Sequence, residues 1–305
     1  MDDTPARYSL DPSDSRTVLR ETLLKALNAL PHYFSSKINI EGLTATDLFS
    51  LNTLLGGAIE EQTVAILNSM RSIWDPDGIW YNREFIRFPE SFPDVRLVRG
   101  STDTEPAIGI ELKGWYLLSK EKEPSFRYKA SADATTVWDL IVCYPWALSN
   151  VLSGCPVVYE PYIEQAKYAA NMRTYYWHHR RGTSLTRSNE IIHPTTQPYP
   201  RPGSKYADNP KNDSGKNFGR IARVPGLMTD WIDKVMGIRL SGIEARYWIS
   251  FFSAFVEGST QFDIESEIEK LNNSIDIPVS DASDKVRAEM IEHIRSLILL
   301  LSKPN

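Results

Sequence analysis

The run Ala107-Ile108-Gly109-Ile110-Glu111-Leu112-Lys113-Gly114-Trp115-Tyr116-Leu117-Leu118 constrains the fold of this chain more than any other stretch. Apart from Glu111, Lys113 and two glycines it is hydrophobic and rich in β-formers, which predicts a buried strand. Strand side chains alternate between faces, so Glu111 and Lys113 share one side. Two charges on one face of a central strand are costly to bury unless something binds them. Seventeen residues before Glu111 stands Pro93-Asp94. An acid there and Glu-x-Lys here form a minimal constellation for holding a divalent cation against a phosphodiester and activating a water beside it.

The flanking pattern predicts a mixed α/β chain. Apolar positions from Val18 to Leu30 repeat at helical spacing, and Pro31 marks the end of that helix. Thr46 or Asp47 is a candidate cap for a second helix reaching about Ile73. Strands are expected over Ile79–Phe88, Asp94–Val98 and Thr135–Tyr144, the last ended by Pro145. A helix is expected over Tyr162–His178, and further helices over Met228–Met236, Gly242–Val256 and Lys285–Ser302. Between 182 and 226 lie six prolines and no periodicity, a pattern that is functional or disordered.

Charge is unevenly distributed. From Lys167 to Arg223 there are eleven Lys/Arg against three Asp/Glu, a balance of +8 in a chain of net charge -5, which leaves -13 elsewhere. A basic segment on an acidic body is either a polyanion footprint or a solvated loop. No apolar stretch reaches the ~18 residues of a membrane span, and the acidic N-terminus lacks the features of a secretory signal. Cys143 and Cys155 have no metal-ligand spacing and read as reduced packing residues in a cytoplasmic protein.

An upstream helix, hairpin strands, an acid opening one strand and Glu-x-Lys in the next resemble the PD-(D/E)xK nucleases. Within that group the chain looks most like a type II restriction endonuclease. The match spans about Glu60 to Tyr144. The resemblance implies a restriction-endonuclease-like core, a mixed central β-sheet flanked by helices, with helical N- and C-terminal additions. Around that match the chain is expected to divide into an N-terminal helical extension (1–45), the nuclease core (46–181), a basic DNA-contacting loop region (182–226) and a C-terminal helical part (227–305) forming one compact unit with the core. Asp94 would bridge Mg²⁺, Glu111 would be its second ligand, and Lys113 would orient or help deprotonate the attacking water. Glu60 and Glu61 are both candidates for a further carboxylate from the upstream helix, and periodicity does not decide between them.

The implied partners are double-stranded DNA, a second copy of the chain in a homodimer, and a DNA methyltransferase acting on the same site. Arg173, Arg180, Arg181, Arg187, Lys205, Lys216, Asn217, Arg220 and Arg223 are candidate DNA contacts, with Gly215–Arg220 a flexible basic loop. Tyr168, Tyr175, Tyr176 and Trp177 interleave with these arginines, although core packing explains Tyr175 to Trp177 better. His178, His179 and His193 lack a zinc pattern. Asp139 is either a third carboxylate or a buried, hydrogen-bonded one. Competing readings are a repair or junction-resolving nuclease of the same fold, a non-catalytic DNA-binding defence protein, and an α/β protein whose Glu-x-Lys is accidental.

Overall fold

The computed structural model describes residues 4–43, 50–88, 91–179, 190–213, 216–253 and 260–274, excepting the side chains of 52–54, 264 and 271–274. It is a mixed α/β fold, with a central mixed sheet flanked by helices. Helix α1 (Ser15–Tyr33) opens where the Asp14 carboxylate accepts the Arg16 N–H at 2.8 Å. It buries Leu19, Leu23, Ala26, Leu27 and Leu30.

Contrary to expectation, α1 continues through Pro31. Proline has no N–H for the carbonyl four residues earlier, here Leu27. The hydroxyl of Tyr144 donates to that carbonyl at 2.8 Å and replaces the missing bond.

Helix α2 spans Leu51–Ser69 and the short α3 spans Arg71–Trp74. The expected cap at Thr46 or Asp47 lies outside the described residues. Strand β1 (Glu84–Arg87) is shorter than expected, because Asp75 captures the N–H of Trp80 and holds the preceding residues in turns. It pairs antiparallel with β2 (Val95–Val98), and β2 pairs antiparallel with β3 (Gly109–Tyr116). β3 pairs parallel with β4 (Leu140–Leu148).

β4 also runs through a predicted stop, Pro145. Its antiparallel partner changes there, from β6 (Tyr162–Gln165) over Leu140–Cys143 to β5 (Pro156–Val158) over Trp146–Leu148. The proline's missing N–H falls at the junction, while its carbonyl still accepts from Tyr159 at 2.8 Å. The helix expected from Tyr162 begins four residues later, as α4 (Ala166–His179), because Tyr162–Gln165 are drawn into the sheet.

Within the basic segment, β7 (Ile191–Ile192) pairs with β8 (Asn209–Pro210). The chain then lies along residues 126–134. Tyr128 N–H donates to Gly219 O (2.7 Å), Asp208 N–H to Lys129 O (2.9 Å) and Ser131 N–H to Tyr206 O (2.9 Å). Gly219 has φ +86, and a Cβ there would meet Lys129 Cγ at 2.9 Å. The described part of the expected flexible loop is therefore built against the body, with Phe218 buried on Trp177 and Ile191.

Helix α5 spans Thr229–Met236. Two short paired strands, β9 (Arg239–Leu240) and β10 (Ile243–Glu244), occupy the start of the next expected helix, which begins at Ala245 as α6 (Ala245–Ser253); its expected end at Val256 lies outside the described residues. Helix α7 spans Gln261–Ser274, and the helix expected over Lys285–Ser302 lies outside the described residues. One hydrophobic core runs from Leu19 of α1 to Phe252 of α6, so these described helices share the core of the sheet. Among the described residues, no helix is long and apolar enough to cross a membrane.

Candidate active site

In β3 the burial alternates as the sequence requires. Ile110 and Leu112 are buried, while Glu111 and Lys113 are half-buried on the opposite face. The β2–β3 register pairs Val95 with Ile110, which brings Asp94, at the head of β2, level with Glu111. The backbone N–H of Asp94 donates to Glu111 Oε2 at 3.3 Å. The Asp94 carboxylate accepts the backbone N–H of Leu112.

The third carboxylate comes from α2, which packs on β3. Glu60 is buried at 9% exposure, whereas Glu61 faces solvent. Glu60 Oε2 accepts from Arg87 Nη2 of β1 at 2.9 Å. Its Oε1 accepts the Gly114 N–H at 3.2 Å and lies 3.7 Å from the Lys113 ammonium. Lys113 is therefore tethered on the carboxylate face by the same residue that joins helix to sheet.

These groups share an electrostatic field. Burial, reinforced by the charge of Glu60, pushes the Asp94 carboxyl up to about 6, against the opposing effects of the Leu112 N–H, Arg87 and Lys113. Burial and the neighbouring Asp94 drive Glu111 well above the usual carboxylate range. Two carboxylates held together at such a cost in protonation mark a functional-site candidate.

A second set of residues fixes the turn before Asp94. The Arg96 guanidinium donates to the carbonyls of Phe92 (2.7 Å) and Pro93 (3.3 Å) and to Ser91 Oγ (3.2 Å). Pro93 lies over Gly109 so closely that a Cβ there would meet Pro93 Cγ at 2.4 Å. Asp139 lies behind this contact. Its carboxylate accepts from Gly109 N–H, Thr136 N–H and Tyr199 Oη, all at 2.7 Å. Asp139 is thus the buried, hydrogen-bonded acid of the two alternatives.

The expected DNA contacts divide into four groups, the last of them Arg173 alone. Arg180, Arg181 and Arg187 lie outside the described residues. Lys205 and Lys216 are exposed. Arg223 pairs with Glu123 at 2.5 Å and donates to Asn217 Oδ1 at 2.6 Å, and Arg220 is 3.9 Å from the same glutamate.

Arg173 requires correction as a phosphate contact. Its guanidinium is buried against Asp208 and donates to the carbonyls of Tyr128 (3.1 Å) and Ala130 (2.9 Å). It is a structural pin, because those donors are already committed inside the fold. His193 Nδ1 reaches Asp208 Oδ1 at 2.8 Å, and the His178 and His179 rings stand 6.1 Å apart.

Sequence reasoning missed Arg87, Arg96, Tyr206 and Gly109. Arg87 has period-two spacing with the buried Phe85, a usable signal. Tyr206 stacks on Phe92 at 5.3 Å, and the charges of Glu111 and Asp94 help raise its hydroxyl pKa, after burial. Nothing local in sequence links it to them.

Among the described residues, no three His, Cys, Asp or Glu side chains are grouped to hold a metal ion by themselves. Mg²⁺ is commonly held by one or two carboxylates with retained waters and substrate phosphate. The hard oxygen donors of Asp94 and Glu111 fit that requirement. No family profile, curated protein or solved structure matches the chain.

Proposed function

We propose that this protein is a Mg²⁺-dependent, site-specific endonuclease of double-stranded DNA, built on a restriction-endonuclease-like core. The observation that carries the reading is the convergence of Asp94, Glu111, Lys113 and Glu60 from β2, β3 and α2. Asp94 and Glu111 would hold the cation, which when bound neutralises charge on the phosphate and acidifies a water. Their raised proton affinities support a role that a cation relieves. Lys113, tethered by Glu60, offers positive charge where negative charge develops on the reacting phosphate. Glu60 serves as the residue that orients Lys113 and Arg87.

Cutting both strands of a two-fold symmetric site calls for two such centres, so we propose a homodimer. A methyltransferase for the same sequence would protect the host DNA. The test is incubation with a large unmethylated DNA in Mg²⁺ and in EDTA. Discrete fragments in Mg²⁺ alone support the proposal. Intact DNA across many sequences, with binding retained, replaces it with a non-catalytic DNA-binding protein.

A further inference from the structure

Next to the Phe92–Tyr206 stack lies a groove of about 670 Å³, lined by the polar Lys129, Lys205, Asp208 and Asn209 and by the apolar Ile192 and Pro194, with Tyr206 in its wall. Tyr206 links the groove to the candidate site, since its ring stacks on Phe92 in the turn leading to Asp94. The groove wall is made by the segment that hydrogen-bonds along residues 129–131, a built surface with its backbone groups paired.

The charge of this groove is positive. Its acid, Asp208, is buried and committed through one oxygen to the Arg173 guanidinium and through the other to His193 Nδ1 at 2.8 Å. Lys205 is exposed and Lys129 half-buried, its ammonium 5.9 Å from the Phe218 ring centre. Ser204 and Asn209 add neutral polar groups. Two lysines, neutral polar side chains and a neutralised acid, beside the apolar Ile192 and Pro194, suit the sugar–phosphate backbone of a strand better than a carbohydrate or a peptide.

We infer that this groove takes the sugar–phosphate backbone of the DNA strand flanking the scissile phosphate, with Lys129 and Lys205 as its phosphate contacts. The identity of the strand rests on the nuclease reading, while the site rests on the groove's own charge and its connection through Tyr206. Lys129 was not marked by the sequence. It lies before the basic segment and becomes part of it only through the pairing of Asp208 N–H with its carbonyl.

The experiment is fluorescence anisotropy of a labelled duplex in EDTA across a salt series, paired with cleavage in Mg²⁺. The proteins are wild type, Lys129→Ala/Lys205→Ala, Lys129→Gln/Lys205→Gln and Lys234→Ala. Lys234 on α5 pairs with Glu160 and does not line the groove. The glutamine pair keeps the side-chain stems, so a packing defect in the alanine pair is separable, and thermal melts verify folding.

Each lost phosphate contact lowers the slope of log K against log[salt] by about 0.9, so both double variants should lose nearly two units. Binding should weaken roughly tenfold or more near physiological salt, with Lys234→Ala unchanged. If wild type binds but does not cut, and the double variants lose binding, the groove stands and the nuclease reading falls. If wild type cuts, and folded double variants bind with unaltered affinity and slope, the groove assignment is overturned alone. A wild type that binds no duplex overturns the groove assignment too.

Discussion

Asp94 donates its backbone N–H to Glu111 Oε2 at 3.3 Å, so one bond both fixes the entry of β2 and aims the carboxylate of β3. The side chain of Asp94 is bound in return by the N–H of Leu112. The two acids are therefore held level across the β2–β3 pair by two side-chain-to-backbone bonds. Their mutual repulsion is built into the fold.

The first prediction concerns pH. The Asp94 carboxyl sits at about 6 in the fold against an ordinary value of 3.8, so the folded state holds this proton more tightly than the unfolded chain. Its contribution to stability is full below about pH 4 and is lost as pH rises through about 6. Asp94→Asn should therefore raise the melting temperature of metal-free protein at pH 7.5, by an amount worth at most about 3 kcal/mol. Mg²⁺ should raise the melting temperature of wild type more at pH 7.5 than at pH 5, because protons compete with the cation for the same oxygens. Calorimetric melts with Mg²⁺ and with EDTA check both. A metal-free Asp94→Asn that melts well below wild type at pH 7.5 contradicts the assignment.

Glu60 and Glu61 should separate cleanly. The charge of Glu60 raises both Asp94 and Glu111, so Glu60→Gln should move the acid limb of the cleavage profile to lower pH. It should also reduce the rate, because the tether on Lys113 is altered. Glu61→Gln, on the exposed side of α2, should leave the profile unchanged. Single-turnover rates against pH decide it.

The turn before Asp94 should be sensitive to substitutions that touch neither carboxylate. Gly109→Ala puts a methyl at 2.4 Å from Pro93 Cγ and should cost about 1–3 kcal/mol by overpacking. Arg96→Met leaves the Phe92 and Pro93 carbonyls without their donor, again about 1–3 kcal/mol. Urea unfolding gives the stability. Mg²⁺-induced stabilisation, measured on the folded fraction, should shrink in both variants because Asp94 shifts.

Arg173 tests whether basic residues of α4 serve the fold or the DNA. Arg173→Met leaves Asp208 buried and without its guanidinium, at a cost of about 3–5 kcal/mol. An unchanged urea midpoint together with weakened DNA binding would return Arg173 to the DNA-contacting set.

The geometry of the candidate site was legible in the sequence at some positions and not at others. Glu111 and Lys113 were readable because Ile110 and Leu112 alternate with them and bury the other face of β3. The choice of Glu60 over Glu61 was not readable, since it depends on Arg87 in β1 and Gly114 in β3. Pro31 and Pro145 both stand inside elements they were expected to end. Each is accommodated by a distant residue, a tyrosine hydroxyl in one case and a change of strand partner in the other. Arg173 reads as surface charge until Asp208, 35 residues away, closes on it. Side-chain periodicity is a local property, but the satisfaction of a backbone carbonyl or a buried guanidinium is settled by tertiary contacts.

The most direct test is one cleavage experiment on unmethylated duplex DNA with wild type, Glu111→Gln and Lys113→Ala, each in Mg²⁺ and in EDTA. Discrete fragments from wild type in Mg²⁺ alone, reduced at least a hundredfold in both variants while binding persists, are the predicted result. Cleavage that survives in Lys113→Ala and Glu111→Gln at the wild-type rate would contradict it, because the reaction would then lie at another centre.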